Sequence, residues 1–172
     1  MLVAGGIGFT PMASLVDYIS TYKAMGRFGR LSQLRVVWIA KYRSELAVFD
    51  GVLGRVRALG NGDVAMGITV VLDLFATREQ EREEEAGGLD GALVKGYSSG
   101  PASPNPLSAE DSPSKLATVG RPNLPQLLTD AVRDKSPAKT ALLTCGPKGM
   151  VDTCRDAALV LGCDFHAESF FL

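Results

Sequence analysis

Leu2-Val3-Ala4-Gly5-Gly6-Ile7-Gly8-Phe9-Thr10-Pro11 is the stretch that decides the fold. Three apolar residues run into three closely spaced glycines. These lead to Thr10 and Pro11, read as a helix N-cap and a first-turn proline. Residues 11–23 then carry Met12, Leu15, Val16, Ile19 and Tyr22 at helical spacing. The reading is strand, tight turn, helix, and the same rhythm continues outward. Residues 34–40 (LRVVWIA) form a second strand, after which Ser44 caps a helix with Leu46, Phe49, Leu53 and Val56 on one face. Residues 67–75 form a third strand. A helix from Asn123 buries Leu124, Leu127, Leu128, Ala131 and Val132. Residues 140–144 form a strand, and a helix with Met150, Val151, Cys154, Ala157, Ala158 and Leu161 closes on Gly162. Residues 164–171 read as a last or edge strand. Strands alternating with helices predict an α/β fold, a mainly parallel sheet covered on both faces.

The 172 residues suit one such domain, spanning 1–172. One region breaks the rhythm. Residues 78–85 are a charge run (REQEREEE), and residues 87–115 are rich in Gly, Ser and Pro. Such composition buries too little apolar surface to offset its ordering entropy, so 78–115 is expected to be a mobile insertion carrying no active-site residue. No internal repeat is visible. The first strand starts at the first residues, so the chain reads as a domain excised from a longer protein, with no secretory signal.

Composition excludes several function classes. Eighteen Lys plus Arg against 19 Asp plus Glu give a net charge of −1, which supplies no phosphate-neutralising surface for a general nucleic-acid binder. No apolar run approaches the roughly 18 residues of a membrane helix. Cys145, Cys154 and Cys163 show no CxxC spacing, and His166 is the sole histidine. A Cys/His zinc site and a bis-histidine haem site within the chain are excluded, as is a marked cysteine protease. Three scattered cysteines suit a reducing compartment.

Three strand tips carry chemistry. Gly5, Gly6 and Gly8 let the backbone turn tightly and let a phosphate approach N–H groups at a helix start. The pattern resembles GxGxxG, but Pro11 stands where the third glycine would fall. The second strand ends at Lys41, with Arg43 two residues on. An acid there would hold a ribose 2′-hydroxyl, whereas a base suits a 2′-phosphate and hence NADPH. Each charge-assisted hydrogen bond is worth about 1.5–3 kcal/mol, one to two decades of preference. The alternative for Lys41 and Arg43 is a pair of solvated loop charges. Cys145-Gly146-Pro147 ends another strand and faces the same crevice. Its thiol is read either as a contact for a flat ring or as a small buried hydrophobe.

Taken together, AGGIGFTP (4–11), the VVW strand ending in basic residues, GRPNL (120–124), LLTCGP (142–147) and HAESFF (166–171) resemble the NAD(P)-binding domain of the ferric reductase and NADPH oxidase family. This family lies within the ferredoxin–NADP reductase-like flavoproteins. The resemblance spans the chain apart from the insertion. It implies a Rossmann-like, doubly wound domain of the ferredoxin–NADP reductase C-terminal type. It also implies a parent protein with an FAD-binding barrel and a transmembrane haem domain, the present domain lying at the cytoplasmic face without touching the membrane itself. Hydride would pass from NADPH to FAD, and electrons through haem to ferric iron. A superoxide-producing oxidase and a soluble flavoprotein reductase are the alternatives within the superfamily, and a non-catalytic nucleotide sensor is the rival of another class.

Carried over by position, Gly5, Gly6, Gly8, Thr10 and Pro11 would line the pyrophosphate and nicotinamide side. Lys41 stands where oxidases have an arginine for the 2′-phosphate, and Arg43 would support it. Arg121 would face the cofactor, and Cys145, with Gly146 and Pro147, would sit near the nicotinamide C4. Phe170 would stack on the flavin until nicotinamide displaces it, preceded by the acidic Glu168, with Phe171 its rival.

Overall fold

The structure, a computed structural model, describes residues 1–25, 27, 30–61, 68–79, 112–133 and 135–168. Six parallel strands form its sheet in the order β4-β3-β2-β1-β5-β6. They are β1 (Leu2–Gly5), β2 (Gln33–Ala40), β3 (Thr69–Ala76), β4 (Thr118–Val119), β5 (Ala141–Cys145) and β6 (Asp164–Glu168). The helices are α1 (Phe9–Ala24), α2 (Arg43–Ala47), α3 (Asp50–Asn61), α4 (Leu124–Val132) and α5 (Lys148–Leu161). This is the parallel α/β sheet expected from the strand–helix rhythm, in the doubly wound order that the family resemblance implies. The chain lays strands outward from β1 to β4, then returns to add β5 and β6 on the other side of β1. Strand order therefore reverses between β1 and β5, the place where open α/β sheets bind ligands beyond their carboxyl ends.

Alternation along the strands builds a core on each face. Leu34, Val36, Trp38 and Ala40 of β2 pack with Phe9, Met12 and Val16 of α1 and with Leu53 and Val56 of α3. Val3 and Val37 face the opposite side, against Leu124 and Leu128 of α4 and Cys154 and Ala158 of α5. Gly162 closes α5 in the left-handed conformation at φ 70°, as its position predicted. Asn123 caps α4 by accepting the Gln126 amide at 3.2 Å. No described helix is long and apolar enough to cross a membrane.

Two expected helix starts are corrected. Gly6–Gly8 form a 3-10 turn that feeds directly into α1 at Phe9, so Thr10 lies inside the first turn and does not cap it. The single helix expected after Ser44 is two, and Ser44 lies within α2 rather than at its cap. The break falls at Phe49, whose amide makes a tight bond to the Leu46 carbonyl at 3.0 Å. There the ring of Phe49 meets both Phe9 and Trp38 edge-on. Aromatic packing overrides a helical spacing that would otherwise continue.

Residues 80–111, the bulk of the expected insertion, lie outside the described residues. Its last residues belong to the folded body. Pro113–Leu116 form a 3-10 helix in which Pro113 and Ser114 are buried. The Asp50 carboxylate accepts the Ser114 amide at 3.0 Å, the Ser114 hydroxyl at 2.9 Å and the Ser112 hydroxyl. Asp50→Ala strands the Ser114 amide, while the Ser114 hydroxyl keeps Ser112 at 2.8 Å, and is expected to cost about 2 kcal/mol, read from the urea midpoint. Asp50→Asn, which keeps one acceptor oxygen, should recover part of that loss.

Candidate functional site

The register sets Ala4 opposite Cys145 and Gly5 opposite Ile39, so the tips of β1, β2 and β5 end side by side. At the reversal point the two glycine tips touch backbone to backbone. A Cβ on Gly8 would lie 2.3 Å from the Cys145 carbonyl oxygen and 3.0 Å from the Gly146 nitrogen. One on Gly146 would lie 3.0 Å from the Gly5 Cα, and one on Gly5 would lie 2.7 Å from Pro147 Cδ. These glycines serve close approach. Gly6 serves the turn itself: its φ of 52° is left-handed, and among the described residues no atom lies within 4 Å of the place a Cβ would occupy. Its outer side is open space of the kind a phosphate or ribose can enter.

A brace that sequence reasoning missed holds this turn. Trp38, buried in β2, donates its indole N–H to the Gly6 carbonyl at 3.0 Å. The same ring stacks on Phe9, the first residue of α1, with centroids 4.1 Å apart and planes 10° from parallel. One side chain thus fixes both ends of the glycine turn. The available signal was a tryptophan inside a buried strand, whose N–H must find an acceptor.

Gly120 also has open space where a Cβ would be, and its amide donates to the Ala76 carbonyl at 2.9 Å, docking the GRPNL loop on the tip of β3. Arg121 and Thr10 are exposed, and Pro11 is half-buried. Gly146 and Pro147 open α5, with Pro147 at its N-cap.

Cys145 stands at the expected strand tip, but its side chain is turned into the core with 1% exposure. Burial, reinforced by the negative charge of Glu168, pushes its thiol pKa up. The group is a protonated, apolar thiol at neutral pH, not a nucleophile. Glu168 pairs in register with Cys145, is exposed, and meets His166 Nε2 at 2.9 Å. Phe170 and Phe171 lie outside the described residues.

The β2 tip departs from the expected base-lined site. Lys41 is exposed. The Arg43 guanidinium instead donates from Nη2 to the Ala117 carbonyl at 3.2 Å, and its Nε is sealed from solvent. A partner 74 residues away in the chain, in a stretch adjoining a low-complexity segment, left no local signal.

The profile of the ferric reductase NAD-binding domain family matches residues 1–159. The chain belongs to that family. It is thus an NAD-binding domain of the NAD(P)H-dependent oxidoreductase type, with a nicotinamide dinucleotide as its cofactor. Among solved structures, the CS-b5R domains of human Ncb5or in the NAD+ form are similar, with a TM-score of 0.56 at 15% identity. The match covers 96% of this chain and 35% of that one, and it shows the shared ferredoxin–NADP reductase-like fold. No curated protein is similar enough to count as a match.

Proposed function

We propose that this NAD-binding domain presents NAD(P)H to an FAD held by a β-barrel outside the chain, in a membrane flavocytochrome that passes electrons through haem to ferric iron. The observation that supports the reading most is the backbone contact of the Gly5–Gly8 and Cys145–Gly146 tips at the strand-order reversal. It sets the glycine turn against the β5 tip, with open room at Gly6 and Gly120. The residues present fit a dinucleotide: glycines for the pyrophosphate, the β2 tip for the adenosine ribose, and the β5 tip for the nicotinamide.

When bound, the nicotinamide supplies the hydride, and this chain supplies orientation and exclusion of water. The glycine turn binds the pyrophosphate through backbone donors. The GRPNL loop brings Arg121 to the exposed side of the site. Because the Cys145 side chain is turned into the core, the β5 tip offers the ring its Gly146 backbone rather than a thiol, which leaves the reacting carbon uncrowded. No proton needs to move at any of these atoms during hydride departure. Phe170 would cover the flavin face until the nicotinamide arrives, with the parent's barrel and haem domain as partners and the cytoplasmic face of its membrane as its place.

Titrating the chain with NADH and NADPH, followed by dihydronicotinamide fluorescence, is expected to give saturable binding displaced by 5′-AMP. Adding FAD should produce no steady turnover, since the barrel that holds the flavin lies outside the chain. Absence of binding to either dinucleotide would refute the reading. Turnover with free FAD at an enzymatic rate would refute the division of labour.

A further inference from the structure

The hydrogen bonds at the β2 tip bring carboxylates to the place where dinucleotide-binding sheets read the adenosine ribose. The Lys41 amide donates to Glu45 Oε2 at 3.2 Å, so the first turn of α2 hangs a carboxylate on the strand end. The Arg43 amide donates to Glu79 Oε2 at 2.8 Å, bringing a second carboxylate from beyond β3. Of the two cations, Arg43 is turned away onto Ala117, and Lys41 alone is exposed. The carboxylates of Glu45 and Glu79 thus sit on the strand-end amides, beside the exposed Lys41 and the exposed Arg78, whose amide donates to the Lys41 carbonyl at 2.8 Å. A ribose 2′-hydroxyl needs only an acceptor. A carboxylate with one oxygen on an amide keeps lone pairs for another donor. An acid at the end of the second strand is the arrangement that reads a 2′-hydroxyl in dinucleotide-binding sheets.

We infer that Glu45 is a specificity-determining residue that accepts the adenosine 2′-hydroxyl, so that the site takes NADH at least as readily as NADPH. The inference deepens the nucleotide-binding reading above and rests on it. It replaces the NADPH preference that Lys41 and Arg43 suggest in the sequence.

Calorimetric titration of the 172-residue chain with 5′-AMP and with 2′,5′-ADP separates the two. The wild type is expected to bind 5′-AMP as tightly as 2′,5′-ADP or more tightly. Glu45→Gln, which removes the charge but keeps an acceptor, should move the affinity ratio about tenfold toward 2′,5′-ADP, equivalent to ~1.4 kcal/mol. A wild-type preference of tenfold or more for 2′,5′-ADP overturns the inference while leaving nucleotide binding intact. So does an unchanged ratio in a Glu45→Gln variant that melts like the wild type. If Glu45→Gln does not fold, the wild-type ratio decides. Failure of both nucleotides to bind removes the underlying reading and the inference with it.

Discussion

Gly8→Val is expected to destabilise the domain by about 3 kcal/mol or more and to abolish dinucleotide binding. The new Cβ falls 2.3 Å from the Cys145 carbonyl oxygen and 2.6 Å from its carbon. Both are backbone atoms of a central strand, so neither can rotate aside as a side-chain terminus would. Relief requires β5 to draw away from β1, which breaks the ladder that pairs Ala4 with Cys145 and opens the floor of the site. With a total stability on the order of 5–15 kcal/mol, much of the reserve is spent at one position. Gly149 supplies the contrast: it lies in the first turn of α5, and among the described residues no atom falls within 4 Å of its Cβ position. Gly149→Ala should stabilise by about 0.5–1 kcal/mol through helix propensity. Chemical denaturation of both variants reads the difference. A Gly8→Val protein as stable as wild type would mean that the two tips do not touch.

The same geometry explains what the sequence could reveal. β1, the glycine turn and Cys145-Gly146-Pro147 are legible because each is a local pattern: an apolar run, a glycine cluster, a strand tip followed by a helix. Parallel pairing then forces the tips together without further information. The α1 start is hidden because Thr10-Pro11 is a sound capping pair, and only the 3-10 turn at Gly6–Gly8 shows that the helix is already under way. The break at Phe49 is invisible because Leu46, Phe49, Leu53 and Val56 keep perfect helical spacing, and the reason for breaking lies on α1 and β2. The β2 tip misleads most. Lys41 and Arg43 read as a basic pair, but Glu79, whose carboxylate accepts the Arg43 amide, and Ala117, whose carbonyl accepts its guanidinium, come 36 and 74 residues later. Charge type is local information; the direction of a guanidinium is not. Asp50 and Ser112 make the same point from the other side, since composition assigns Ser112 to a loop and a carboxylate 62 residues earlier ties it to the fold.

Trp38 separates stability from binding in a way Gly8 does not. Trp38→Ala removes a fully buried indole that stacks on Phe9 and meets Phe49 edge-on, and should cost about 4 kcal/mol. Trp38→Phe keeps an aromatic ring on Phe9 but removes the N–H that holds the Gly6 carbonyl, for about 1–2 kcal/mol. Because Gly6 sits at φ 52° in open space, nothing else shown at its Cβ position opposes a drift of the turn. The phosphate-facing N–H groups then lose their preorganised positions, and nucleotide affinity should fall about tenfold, a cost of ~1.4 kcal/mol. Ile19→Val, in the middle of α1 and away from the turn, is the matched control, since it should lose about 0.5–1.5 kcal/mol of stability. If the indole braces the turn, Trp38→Phe weakens NADH binding and Ile19→Val does not, although their denaturation midpoints are close. Equal affinities in the two variants would reduce the Trp38–Gly6 bond to a core contact and leave the turn held by the Gly8–Cys145 packing alone.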